Sequence, residues 1–176
     1  MKKLEGKIAI VTGSTRGIGC ATAKMLAKEG AHVVVSGHNE EAGNRVADEI
    51  CAEGGTAVYI QSDLSKMEST DALVESTVEK FGTIDILINC AAADDPMSCM
   101  SVQDIDEELY DYVMTVSVKV PFRLCQKVMP YMEAKHDGTI VNVCSIPSTS
   151  ATFHKEGNSH ENQDESRRNR SNAQSI

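Results

Sequence analysis

The chain has 176 residues and a formal net charge of −9, long enough for one domain with a real core and of the wrong sign for a nucleic-acid or anionic-membrane partner. No apolar run is long enough to span a bilayer, and the opening Met1-Lys2-Lys3-Leu4-Glu5-Gly6-Lys7 lacks the apolar stretch of a secretory signal. The six cysteines are scattered without a Cys-x-x-Cys pair; they read as small buried hydrophobes in a reducing compartment, so no metal site is expected and the cytoplasm is the expected location.

Residues 7–12 form an apolar run that reads as a first strand, and a helix opens at once over 17–29, stopped by Gly30. A second strand, 31–36, is centred on Val33-Val34-Val35. A helix over 40–53 carries Val46, Ala47 and Ile50 at helical spacing and ends at Gly54-Gly55. Residues 57–61 read as a third strand, 62–65 as a loop and 68–81 as a helix. The fourth strand, 84–89, is nearly all apolar and so buried on both faces. A loop over 91–101 leads into a long helix, 104–134, with an irregularity at Pro121, and then a fifth strand at 139–144. This alternation implies an α/β fold, a doubly wound parallel sheet of Rossmann-like type with helices on both faces, truncated after the fifth strand. The expected domain is 1–151. Residues 152–176 are rich in Asn, Ser, Glu, Arg and Gln, with Phe153 almost the only large apolar residue before Ile176. Such a segment cannot offset its ordering entropy by burial, and a disordered polar tail is expected.

The turn after the first strand reads Thr12-Gly13-Ser14-Thr15-Arg16-Gly17-Ile18-Gly19. Strand, glycine-rich turn and helix together are the layout of a dinucleotide site. Gly13 permits the tight turn, Gly17 lets backbone approach a pyrophosphate, and Gly19 lets helix and strand pack closely. The helix N-terminus offers unpaired N–H groups and partial positive charge to the phosphates. Gly13, Ser14, Thr15, Arg16, Gly17, Ile18 and Gly19 are therefore candidate cofactor-binding residues. The second strand ends at Val35-Ser36-Gly37-His38-Asn39, where an acid would bind the ribose hydroxyls of NAD. No acid stands at Ser36, Gly37 or His38, and Arg16 lies where a guanidinium can reach a 2′-phosphate. NADP(H) is thus expected over NAD(H), with His38 a further candidate contact; otherwise Arg16 and His38 are solvated surface side chains.

The spacing Gly13-x-x-x-Gly17-x-Gly19, with Thr12 in front, resembles the short-chain dehydrogenase/reductase family, and the resemblance runs from about residue 4 to 150. It implies an oxidoreductase that moves a hydride between a nicotinamide cofactor and a secondary alcohol or ketone, a small-molecule substrate. A basic residue in the glycine turn tends to accompany NADP in that family. Asp63 with Leu64 matches the family's contact to the adenine ring; alternatively Asp63 is a plain turn residue opening the next helix through Ser65. Asn89 in Asn89-Cys90-Ala91-Ala92 matches an Asn that ties neighbouring strands, and Ala91 and Ala92 leave room for the nicotinamide-side ribose. Ser145 matches the catalytic Ser, and Ser117 stands where the family usually carries a relay Asn. At the family's spacing from Ser145, the catalytic Tyr-x-x-x-Lys pair falls near Asn158 and Asn162 and is missing there; Tyr110, Tyr112 and Tyr131 lie upstream without the matching context. The chain thus looks like the N-terminal part of such an enzyme joined to an unrelated tail, the pattern of a frameshift, a read-through or an alternative product. It is expected to be an inactive or impaired oxidoreductase; the alternatives are a non-catalytic NADP(H)-binding protein or an interaction fragment of a full-length paralogue. The resemblance further implies that the long helix packs against a partner subunit. Its apolar face, Leu109, Val113, Val116, Val120, Leu124 and Val128, is expected to be partly uncovered, giving a homo-oligomer or a paralogue complex through 104–134.

Overall fold

Successive side chains of a strand point to opposite faces of its sheet. In Ile8–Thr12 (β1) both sets are buried, so this strand must be covered on both sides. The computed structural model describes residues 2–93 and 100–144; Met1–Cys144 make one compact unit, and the expected tail over 152–176 lies outside the described residues. The other strands are His32–Gly37 (β2), Thr56–Gln61 (β3), Ile86–Asn89 (β4) and Thr139–Asn142 (β5). All pair in parallel, in the order β3-β2-β1-β4-β5.

The helices are Gly17–Lys28 (α1), Glu40–Ala52 (α2), Met67–Phe81 (α3), Glu107–Met114 (α4) and Val120–Lys135 (α5). Ala9, Val11, Val33 and Val35 pack with Ala23 and Ala27 of α1 and Val46, Ala47 and Ile50 of α2. The alternate set, Ile10, Val34 and Leu87, packs with Leu73 and Val74 of α3 and Val120, Leu124 and Val128 of α5. The chain therefore winds outward from β1 to β3, then returns to the other side of β1. That reversal opens a crevice at the carboxyl ends of β1 and β4, where open α/β sheets bind ligands.

Most expected boundaries differ from the observed ones by a residue or two, but the long helix does not run unbroken. A 3-10 turn, Val102–Asp104, precedes it. α4 starts only at Glu107, because the Asp106 carboxylate caps it by accepting from Leu109 N at 2.8 Å. A π-helical segment, Thr115–Lys119, then separates α4 from α5. Pro121 has no N–H to give the carbonyl four residues back, and the ladder widens just before it. The expected partly uncovered face is corrected in part. Leu109 and Val113 are half-buried, but Val116, Val120, Leu124 and Val128 are buried, the last three because they cover Leu73, Val74 and Leu87. The outward side carries Val118, Phe122 and Met129, exposed by 53%, 64% and 45%. Arg123 of α5 grips Asp71 of α3 through two hydrogen bonds of 2.9 and 2.7 Å. With Lys127 beside it, Arg123 holds the Asp71 carboxyl down at about 2.

Candidate cofactor site

The turn between β1 and α1 needs its glycines for different reasons. Gly13 and Gly17 have φ of +62° and +55°, the left-handed region that side chains resist. A Cβ on Gly13 would also lie 2.7 Å from Ala91 Cα, so the end of β4 rests on the turn. A Cβ on Gly19 would run into the Gly13 carbonyl oxygen, which lets α1 start hard against the turn. A Cβ on Gly17 would meet nothing within 4 Å. The space over Gly17 is open, and it faces the first turn of α1, which carries no acid. Backbone N–H groups and the positive end of the helix dipole are thus offered to an anion there.

Two hydroxyls hold this turn from behind. Ser14 Oγ donates to the Val11 carbonyl at 2.6 Å and accepts from Ser36 N at 2.9 Å, while Ser14 N donates to the Ser36 carbonyl at 3.0 Å. The Ser14 side chain is buried and committed inside the fold. Thr12 Oγ1 accepts from Cys90 N at 3.0 Å and Ala91 N at 3.1 Å, fastening β4 to the end of β1. Sequence reasoning gave Thr12 no such role, although a hydroxyl at the last position of a buried strand is itself a signal, since it must find partners. Thr15 is half-buried, and Arg16, Ile18 and His38 are exposed at the mouth, Ile18 by 68%.

Asn89 is buried at the end of β4; its Nδ2 donates to Asn142 Oδ1 of β5 at 2.8 Å. Cys90 follows, its thiol pushed up by burial. Ala92 is exposed and Ala91 half-buried beside the turn. After β3, Asp63 Oδ1 accepts from the Ser65 hydroxyl at 2.7 Å and from Ser65 N at 3.1 Å, and Lys66 Nζ lies 3.0 Å from Oδ2. The Ser65 hydroxyl and then Lys66 hold this carboxyl below its ordinary range. Leu64 beside it turns into the core.

Among the described residues no catalytic set comes together. Ser145 and positions 158 and 162 lie outside the described residues. Ser117 is exposed in the π segment. One Tyr-x-x-x-Lys spacing does occur upstream, Tyr131 to Lys135, but Lys135 pairs with Asp85. Asp85 also accepts from Ile8 N at 2.8 Å. Lys135 is therefore anchored at the amino ends of β1 and β4, the opposite end of the sheet from the glycine turn.

A doubly wound parallel sheet with a glycine turn running into a helix N-terminus defines a Rossmann-like domain. The short chain dehydrogenase family profile matches residues 7–156, and the chain belongs to that family. It is 36% identical over 148 residues to a 7alpha-hydroxysteroid dehydrogenase of Clostridium sardiniense, covering 84% of this chain and 56% of that protein. Among solved structures it is similar to a metagenomic short-chain oxidoreductase in complex with NADP, with TM-score 0.76, 31% identity and coverage of 85% of this chain and 66% of that one. It is also similar to a 7α-hydroxysteroid dehydrogenase complexed with NADH and 7-oxo glycochenodeoxycholic acid, with TM-score 0.79, 34% identity and coverage of 85% and 57%. The chain spans a little over half the length of the curated relatives it matches, 57% and 56% of the first two. Among the described residues no helix is long and apolar enough to cross a membrane.

Proposed function

We propose that this chain binds NADP(H) across the carboxyl ends of β1, β2 and β4, as the cofactor-binding part of an oxidoreductase acting on a secondary alcohol or ketone. The observation that carries this is the open space over Gly17, bounded by the acid-free first turn of α1. Backbone N–H groups of residues 15–19 hold the pyrophosphate there. Arg16 reaches a 2′-phosphate, and the bare Gly37 offers no carboxylate to compete with it. Ile18, exposed beside the turn, and the small Ala91 and Ala92 suit the nicotinamide end. When bound, the nicotinamide carries the hydride; the residues described here hold and orient it but supply no general acid.

Calorimetric titration tests the assignment. NADPH is expected to bind more tightly than NADH, and Arg16→Ala to narrow that difference by about tenfold, the scale of one charged hydrogen bond. Equal affinities untouched by the substitution would sink the preference. The outward stripe Val118, Phe122 and Met129 supports association with a second copy, since exposed apolar area of this kind marks contact surfaces. Light scattering is expected to give a dimer or larger species, reduced toward monomer by Phe122→Glu. A monomer before and after the substitution would refute the contact. A cytoplasmic location belongs to the same reading and rests on the scattered cysteines.

A further inference from the structure

The turn after β2 is packed more tightly than the binding reading requires. A Cβ on Gly37 would lie 2.7 Å from Thr15 Cγ2 and 3.4 Å from Thr15 Oγ1, but 3.7 Å from Thr15 Cβ. Only the branched end of Thr15 therefore stands in the way, and a β-branched side chain has few rotamers into which to retreat. From the other side, the Gly37 carbonyl accepts from the Tyr59 hydroxyl at 2.7 Å and from Ser62 N at 3.0 Å. The next carbonyl, of His38, accepts from Gln61 Nε2 at 3.3 Å, and Asn39 caps α2 by accepting from Ala42 N at 2.8 Å. Tyr59 reaches Gly37 because Gly43 gives it room: a Cβ at 43 would overlap the phenol ring. Burial pushes the Tyr59 phenol up, so it stays a neutral donor.

Position 37 closes β2, where an acid would take the ribose hydroxyls of NAD. We propose that Thr15 and Tyr59 determine cofactor selectivity as positioning residues: Thr15 fills the space a side chain at 37 would need, and Tyr59, admitted by Gly43, pins the Gly37 carbonyl, so that the turn stays bare for a 2′-phosphate. This rests on the dinucleotide reading above. Selectivity then belongs to an interlocked set rather than to position 37 alone, and an acid introduced at 37 cannot take up its ribose-binding pose until Thr15 is cut back.

The test is calorimetry with NADP⁺ and NAD⁺ on the full chain and four variants, each checked by thermal melting. Gly37→Asp alone is expected to weaken NADP⁺ at least about tenfold without tightening NAD⁺. The double variant Thr15→Ala/Gly37→Asp is expected to bind NAD⁺ about tenfold more tightly than Gly37→Asp, the scale of a charged hydrogen bond. Thr15→Ala alone supplies the baseline against which the double variant is read. Tyr59→Phe is expected to narrow the NADP⁺ to NAD⁺ affinity ratio several-fold; a merely structural role would weaken both nucleotides equally, and that result would overturn the role of Tyr59. Gly37→Asp matching the double variant for NAD⁺ would overturn the role of Thr15. Should Gly37→Asp fail to fold, the ratio in Tyr59→Phe decides. A wild type that binds neither nucleotide overturns the dinucleotide reading itself, which is a different failure.

Discussion

A Gly17→Val chain is expected to bind neither NADP(H) nor NAD(H) at concentrations that saturate the wild type. Two effects combine. At φ of +55° a β-branched residue is strained by about 1–3 kcal/mol, so the turn shifts to relieve it. Whatever pose it takes, the isopropyl group enters the one space over the turn where a Cβ meets no protein atom, the space assigned to the phosphates. Exclusion of a pyrophosphate from its N–H donors costs several charged hydrogen bonds, so the loss is about a hundredfold or more. Titration by calorimetry measures it, with Gly17→Ala as the milder step. Undiminished binding by Gly17→Val would mean that the phosphates lie elsewhere.

The second large effect concerns turnover. The purified chain is expected to oxidise NADPH no faster than background with any small ketone. At the family's spacing from Ser145 the Tyr and Lys would fall near Asn158 and Asn162, and neither amide can shuttle a proton as a phenol does beside an ammonium. Tyr131 and Lys135 cannot substitute, because Lys135 is held by Asp85 at the far end of the sheet. General acid–base catalysis is worth about a hundred- to ten-thousand-fold, and the cofactor-positioning Lys adds to that. A spectrophotometric assay over a ketone panel checks this. Robust turnover would show that another group delivers the proton.

The first half of the fold was legible because strong local signals agree there. An apolar run buried on both faces, three glycines at fixed spacing and a helix start leave one arrangement for β1 and α1. The long helical region was less legible. A periodic apolar stripe shows that a face is buried but not what buries it; Val120, Leu124 and Val128 proved to cover the chain's own sheet. The widened ladder at Thr115–Lys119 depends on how Pro121 is accommodated, which propensity alone does not decide. Asp63 looked like a ligand contact or a turn residue, and only geometry revealed its carboxylate engaged by Ser65 and Lys66. The Thr15, Gly37, Tyr59 and Gly43 interlock joins residues from four elements, and no periodicity announces a contact of that kind.

Hydrogen exchange of the full chain with and without NADPH tests the proposed binding mode most directly. Slowed exchange at the amides of residues 15–19 and of the turn at 37–39, with Ala91 and Ala92 beside them, is the expected result. Tight NADPH binding that leaves both segments unprotected would contradict it.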